Sequence, residues 1–420
     1  MTPSAARLAT FLGPDPLPAL GSRLGALCAD GCGLEPGAGP SWESFGGPGL
    51  SSSLELLRLP SVQERIRQRP TAILVWKGSA ELERLAQTLG ATLANSSSLI
   101  SRRLENKRYF SEHAGEAGLP IPPTRSGTAG PDLLGLAREL DLPLVFQLAH
   151  GFSGSRTYRL TTHEQLQALT EQFPGRACRV STEVPGTPVT VTGVVSQKRV
   201  LVGAPSLQLT GIPELTPHPL GSCGNDHLAT VPAADLVLDL TRRCGEWLIR
   251  EGHLGVFGLD LVVGSDGSAW CLEVNPRLVA SVPLFSLSAR DHALPGILEH
   301  HLASFGIGAA PGGELPCDWS QVILYQRGDR RADPGWATCT GELTQLGEFR
   351  RVGQLGLGGP HPGQVGLLVQ AHSRPGRELA RLFFQGPALG ADGSLLPHLR
   401  RVAAALRAEL ELPDRGESVS

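Results

Sequence analysis

The sequence predicts a mixed α/β and α+β protein of two or three domains. Its 420 residues are too many for one ordinary hydrophobic core. "TAILVWKGS" (71–79), "AELERLAQTLG" (80–90) and "ATLANS" (91–96) read as strand, helix and strand, the signature of a small α/β unit. From 141 to 278, β segments divided by Pro-Gly and polar turns dominate, and they end in a hairpin.

Residues 1–60 are rich in Gly, Pro and Ser and carry no clear periodicity. The strand-helix-strand run follows, and the helix stops at Gly90. "SSLISRRLENKRYFSEHAGEAGLPIPPT" (97–124) reads as one helix ending at Gly118, then a Pro-rich linker. "DLPLVFQLAHGFSGSRTYRLTTHEQLQALT" (141–170) reads as strand, Gly/Ser loop, strand, and a helix capped near Thr162. "ACRVSTEVPGTPVTVTGVVSQKRVLVGAPSLQLT" (177–210) holds several β segments. Leu236, Leu240, Cys244 and Leu248, four apart, mark one face of a helix over about 233–251. "GVFGLDLVVGSDGSAWCLEVNPRL" (255–278) is two apolar runs joined by "GSDGS". "ARDHALPGILEHHL" is helical, and "PGGELP" (311–316) marks a break. The last hundred residues mix strands ("QVILYQRG", "GQVGLLVQAHS") with a final helix ("LLPHLRRVAAALRAELEL"). The expected domains are 1–96, 97–310 (lobes 97–182 and 183–310) and a small mixed unit over 311–420.

Composition narrows the function. Hydrophobic residues make up 41% and charged residues 18%, which suits a globular chain without long charged tails. A formal charge of -3 gives no reason to expect nucleic acid or an anionic membrane as partner. No apolar run is long enough to span a bilayer. The first twenty residues make a poor signal peptide, because the apolar stretch breaks at Gly13 and Pro14. The eight cysteines are scattered without a CxxC pair, which fits reduced thiols in a cytoplasmic protein.

The hairpin carries the chemistry. Glu273, Asn275 and Arg277 alternate along "WCLEVNPRL", so they share one face, while Leu272 and Val274 face the other way. Pairing about the centre of "GSDGS" brings Asp260 near Glu273 or Asn275. Two carboxylates and an amide oxygen form a hard-oxygen set suited to Mg²⁺, which takes one or two carboxylates plus phosphate oxygens. Arg277 beside them suits a bidentate phosphate contact. An ordinary solvated sheet face also alternates polar residues, but it does not explain like charges gathered without a cation between them.

"GVFGLDLVV…WCLEVNPRL" resembles the metal-binding hairpin of the ATP-grasp superfamily. Three more segments fall in that superfamily's order. "RLENKRYFSEHAGEAGLPIPPT" resembles the entry to its nucleotide-binding domain, "LPLVFQLAHGFSGSRTYRL" its glycine-rich flap, and "VSTEVPGTPVTVTGVV" its adenine hinge. The match covers about 95–290 and is nearest in style to carbamoyl-phosphate synthase-like and biotin-carboxylase-like members. It implies an N-terminal α/β pre-ATP-grasp domain, a two-lobed ATP-grasp domain and a small C-terminal unit.

The resemblance implies roles as well. Asp260, Glu273 and Asn275 would hold Mg²⁺ (or Mn²⁺) against the phosphates of ATP, and Arg277 would contact the transferring phosphoryl group or the acyl phosphate. Lys107 would reach the α/β phosphates; without the resemblance it is one more helix lysine. Gly151, Ser153, Gly154 and Ser155 would form the flap that closes on phosphate. Glu183 would accept from the adenine amino group or the ribose, and the Val184 backbone would read the adenine edge. Where the superfamily usually has a lysine, in the strand before the flap, this chain has Gln147, which hydrogen-bonds but adds no positive charge. "GTPV" (186–189) offers no second glutamate for the ribose.

Gln208, Thr210, His218, Asn225, Asp226 and His227, between hinge and hairpin, are candidates for the acceptor side. The implied activity is an ATP-dependent ligase that joins a small carboxylate to an amine. Carboxylation through carboxyphosphate and a non-catalytic nucleotide-binding or scaffold protein stay open beside it. A homodimer is an arrangement the resemblance allows, since dimers are common for this kind of enzyme.

Overall fold

The computed structural model describes residues 9–29, 34, 42–45, 50, 52–69, 72–151, 156–309, 311–327, 331–332, 338–344, 346–370 and 376–412. The unreadable N-terminal stretch contains β1 (Ala9–Gly13), β2 (Gly25–Cys28) and β3 (Trp42–Ser44), followed by α1 (Ser53–Leu57), α2 (Pro60–Gln68) and β4 (Ala72–Leu74). These strands form a parallel sheet in the order β3-β2-β1-β4. Strands of three to five residues between Gly- and Pro-rich loops are too short to show a period. Then comes α3 (Ala80–Thr88), as expected, and Gly90 ends it with a positive φ of 68°. The strand expected at 91–96 is only a single parallel bridge, Ile73 to Leu93.

The single helix expected over 97–118 is broken. α4 (Ser98–Leu104) and α5 (Lys107–His113) are separate because Asn106 caps the second one. Its side-chain oxygen accepts from the N–H groups of Arg108 (3.0 Å) and Tyr109 (3.2 Å). This restart places Lys107 in the first turn of α5, where its own N–H donates to the Ala149 carbonyl.

The next unit holds β5 (Thr124–Thr128), α6 (Pro131–Ala137), β6 (Leu144–Leu148), β7 (Thr157–Leu160), α7 (His163–Gln172) and β8 (Ala177–Thr182). The strands make an antiparallel sheet, β5-β8-β6-β7. Leu133 of α6 and Leu166 of α7 pack with Phe146 in its core. The cap expected near Thr162 is a capping box between Thr162 and Gln165.

The large sheet starts with β9 (Thr187–Val195), β10 (Val200–Val202), β11 (Ser206–Thr210) and β12 (Ser222–Asp226). After α8 (Ala234–Arg250) come β13 (Gly255–Val263) and β14 (Ala269–Asn275), then α9 (Val282–Asp291) and α10 (Ile297–Ser304). On α8, Leu240, Cys244 and Leu248 are buried as the spacing predicts, but Leu236 is 39% exposed. Val237, Thr241 and Trp247 complete the buried face instead.

The chain continues with β15 (Ser320–Tyr325), β16 (Arg331–Ala332), β17 (Cys339–Leu343), β18 (Phe349–Gln354), β19 (Val365–Val369), β20 (Glu378–Phe384), α11 (Pro397–Leu410) and β21 (Glu411–Leu412). β16 pairs with β21. The rest join one sheet in the order β14-β13-β9-β11-β12-β15-β20-β19-β17-β18, with β10 on β9. Strands from both sides of residue 311 join that sheet, by the antiparallel pairing of β12 with β15.

One shared core locks the units together. Leu284, Phe285 and Leu287 of α9 belong to one buried cluster with Phe11 and Leu17 of the N-terminal unit and Trp319 and Phe383 of the C-terminal segment. No described helix is long and apolar enough to cross a membrane.

Candidate active site

The small and large sheets are joined by 183–186, and a cavity of about 1080 Å³ opens between them and the N-terminal unit. Its wall includes Lys107, Gln147, Gly151, Glu183, Val184, Asp260, Glu273, Asn275 and Arg277. Thus every described residue singled out in the sequence for nucleotide, metal or phosphoryl contact lines one cavity. Ser153, Gly154 and Ser155 lie outside the described residues.

Asp260 pairs with Glu273 across β13 and β14, so the two carboxylates stand side by side. Gly264 to Ser268 closes the hairpin through a 2.8 Å backbone hydrogen bond. Strict alternation fails at one point. A bulge between Asp260 and Leu261 makes Leu272 the extra residue, and Leu272 turns to the cavity while Cys271 and Val274 enter the core. The expectation that Leu272 faces away from Glu273 is therefore corrected.

Hydrogen bonds fix Asp260. Its oxygens accept from Thr190 Oγ1 (2.6 Å), Gln208 Nε2 (3.2 Å) and Asn275 Nδ2 (3.1 Å). Burial, and then the charge of Glu273, push its carboxyl well above the ordinary range. Burial is the largest single effect on Glu273 and works in the same direction, but the charge and hydrogen bond of Lys107, the charge of Arg179 and the hydrogen bond with Asp260 together outweigh it. Lys107 and Glu273 form an ion pair, and Arg179 adds its charge, so Glu273 stays below the ordinary range. One carboxylate is thus held ionised while its neighbour resists losing its proton.

Asn275 turns its amide nitrogen toward both carboxylates and its oxygen toward Arg277 Nη2 (2.9 Å). β14 ends at Asn275, because Pro276 cannot continue the ladder. A tight turn, Arg277 N–H to the Asn275 carbonyl (2.9 Å), then brings the guanidinium back to the cavity. Arg277 Nε donates to Glu105 (2.8 Å), which Lys77 also contacts.

Among the described residues no three His, Cys, Asp or Glu side chains come together as a metal cage. Two carboxylates on one face suit Mg²⁺, which keeps waters and substrate phosphates in its other positions; Asn275 would join them by turning its oxygen from Arg277 toward the cation.

At the hinge, Gly186 has no room for a side chain, since a Cβ there would lie 2.4 Å from the Val263 carbonyl oxygen. Glu183 is engaged by Arg159, whose Nε lies 2.9 and 2.7 Å from its two oxygens. Of the acceptor-side candidates, Gln208, Thr210 and Asn225 line the cavity. Asp226 does not: it is fully buried and accepts from the N–H groups of Leu228, Ala229, Ala388 and Leu389. It fastens the C-terminal segment to β12. His218 and His227 are not part of the wall, and the His227 ring meets Phe285 edge-on.

Sequence reasoning missed Thr190, Glu105 and Arg179, all at the site. Arg179 was detectable as a lone charge inside the apolar strand "ACRVST".

No family model matches the chain. It is 25% identical over 304 residues to the carbamoyl phosphate synthase large chain of Hyperthermus butylicus, a match covering 69% of this chain and 27% of that one. The corresponding chain of Pyrococcus furiosus is 24% identical over 311 residues, covering 70% and 28%. The chain thus spans about a quarter of the length of these curated relatives.

Among solved structures, it superposes on the N5-carboxyaminoimidazole synthase of Aspergillus clavatus, a complex with ADP and 5-aminoimidazole ribonucleotide. The TM-score is 0.63 at 14% identity, covering 96% of this chain and 100% of that one. The biotin carboxylase of Campylobacter jejuni, a β-γ-ATP complex, gives 0.63 at 12% identity over 91% and 87%. The biotin carboxylase domain dimer of the 2-oxoglutarate carboxylase of Hydrogenobacter thermophilus, with MgADP, ADP and bicarbonate, gives 0.59 at 12% over 91% and 86%.

A parallel N-terminal sheet, a small antiparallel sheet and a large antiparallel sheet closing on one cavity define a multi-lobed α/β architecture. The chain has the ATP-grasp fold.

Proposed function

We propose that this chain is an ATP-dependent ligase that activates a carboxylate as an acyl phosphate and joins it to an amine. One observation carries the reading: Lys107, Asp260, Glu273, Asn275 and Arg277, from three separate segments, converge on one cavity beside the hinge. ATP is the nucleotide, and Mg²⁺ or Mn²⁺ is the cation that Asp260, Glu273 and Asn275 would hold. That cation would supply charge neutralisation at the phosphates when bound.

In the reaction, a substrate carboxylate oxygen attacks the terminal phosphorus of ATP, and ADP leaves. The amine nitrogen then attacks the acyl carbon, the C–O bond to phosphate breaks, and the amine loses a proton. Arg277, aimed by Glu105 and Asn275, meets the negative charge on the transferring group. Lys107 has a second anion to turn to once a phosphate enters beside Glu273. The acyl phosphate hydrolyses readily, so the reaction requires water to be kept from it.

Incubation with ATP, Mg²⁺, candidate carboxylates and hydroxylamine tests this. The reading expects carboxylate-dependent ADP release and a hydroxamate from the trapped acyl phosphate. The bicarbonate held by the Hydrogenobacter protein favours one second reading, activation of bicarbonate as carboxyphosphate. ADP release that depends on bicarbonate and gives no hydroxamate would support that instead. No ADP release with any carboxylate, by protein that binds ATP, would leave a non-catalytic nucleotide-binding protein.

A further inference from the structure

Three cationic side chains are fully buried among the described residues: Lys107, Arg179 and Arg381. Two of them sit on carboxylates, Lys107 on Glu273 and Arg381 on Glu378. Arg179 has no carboxylate within ion-pair distance. It is 5% exposed, and all its acceptors are neutral. Nε and Nη2 donate to Gln147 Oε1 (2.9 and 2.7 Å), Nη1 to Ser111 Oγ (3.0 Å) and Nη2 to the Leu272 carbonyl (2.7 Å). The last acceptor is the carbonyl of the bulged residue of β14.

A buried charge without a counterion is costly, so it persists where an anion completes it. Arg179 lines the cavity. Gln147 stands opposite it in the sheet, with its oxygen committed to the guanidinium and its Nε2 donating to Thr157 Oγ1 (3.3 Å). The buried ammonium of Lys107 pairs with Glu273, whose carboxylate the charge of Arg179 also reaches. Together, two cations and an amide nitrogen border this part of the cavity, and the carboxylates beside them are Glu273 and its neighbour Asp260. That arrangement suits an extended polyanion better than a single carboxylate.

We propose that Arg179 is an anion-binding residue that, with Lys107 and Gln147, recognises the oxygens of a polyphosphate. This deepens the ATP reading and rests on it for the identity of the ligand, but the anion subsite is testable by itself. It also gives the positive charge that Gln147 lacks a source on the neighbouring strand.

The test is calorimetric titration of the full chain with inorganic tripolyphosphate, a non-hydrolysable ATP analogue and adenosine. The variants are Arg179→Gln and Gln147→Glu, with thermal unfolding measured alongside. Gln147→Glu keeps the guanidinium clasp and hands Arg179 an internal counterion, so it guards against a folding defect in the first variant. The expected result is that either variant weakens tripolyphosphate and the analogue roughly 10- to 100-fold, while adenosine binding does not change. Arg179-dependent tripolyphosphate binding with no gain from adenine would uphold the anion subsite and sink the ATP reading. If wild type binds neither anion, the proposal is overturned. It is equally overturned if folded variants bind both anions like wild type and differ only in melting temperature, since Arg179 would then only tie β8 to β14.

Discussion

Lys107→Met should strengthen binding of a divalent cation alone and weaken binding of the nucleotide. The Lys107 ammonium is buried and paired with Glu273, one of the two carboxylates that would face the cation. A divalent ion that takes Glu273 must therefore displace an internal cation. An opposite charge at this range shifts a carboxylate by about 1–3 pKa units, or roughly 1.4–4 kcal/mol. Removing it should raise Mn²⁺ affinity, measured without nucleotide, by about tenfold or more. With nucleotide, the lysine has a phosphate to meet, so its loss costs affinity for a non-hydrolysable ATP analogue by a similar factor.

The assay is Mn²⁺ binding followed by electron paramagnetic resonance, paired with titration of the analogue in Mg²⁺. Stability should fall toward the lower end of about 3–5 kcal/mol, since Asp260 and Glu273 lose their counterion. Folded Lys107→Met with unchanged or weaker Mn²⁺ binding would refute the competition between ammonium and metal.

Two further expectations concern stability. Asp226→Ala leaves four N–H groups, that of Ala388 buried, without their acceptor, so urea unfolding should show a loss of roughly 2–5 kcal/mol; a loss below about 1 kcal/mol would deny Asp226 its fastening role. His253 and His301 are buried neutral, each with its pKa pushed down to about 4, chiefly by burial. The unfolded chain binds those protons near pH 6.5 and the folded chain does not, so stability is full above pH 6.5 and falls between 6.5 and 4. The loss is up to about 3 kcal/mol per histidine, and a melting temperature that stays flat from pH 7 to 5 would contradict it.

The site was more legible than the fold around it. The hairpin showed itself because its period of two and its turn are local, and Asp260 and Glu273 fell opposite each other as the turn dictates. The bulge at Leu272 was invisible, since one extra residue leaves no mark on composition. The restart of the helix at Asn106 was written in the sequence, but the apolar spacing on either side masked it. The parallel N-terminal sheet and the β12–β15 pairing depend on contacts between distant segments of chain, which no local period reports. Asp226, read as a candidate for the acceptor side, is claimed by Ala388 and Leu389, more than 160 positions away. Arg179 was passed over because a charge in a strand suggests an exposed face, whereas the small sheet turns this face into the cavity.

The most direct test is calorimetric titration with a non-hydrolysable ATP analogue, with and without Mg²⁺, on wild type and Glu273→Ala. Binding that needs Mg²⁺ and is lost in the folded variant is the predicted result, and it would place nucleotide and cation together at the Asp260–Glu273 pair. No binding by folded wild type, or binding indifferent to both Mg²⁺ and Glu273, would contradict a metal-assisted nucleotide site in this cavity.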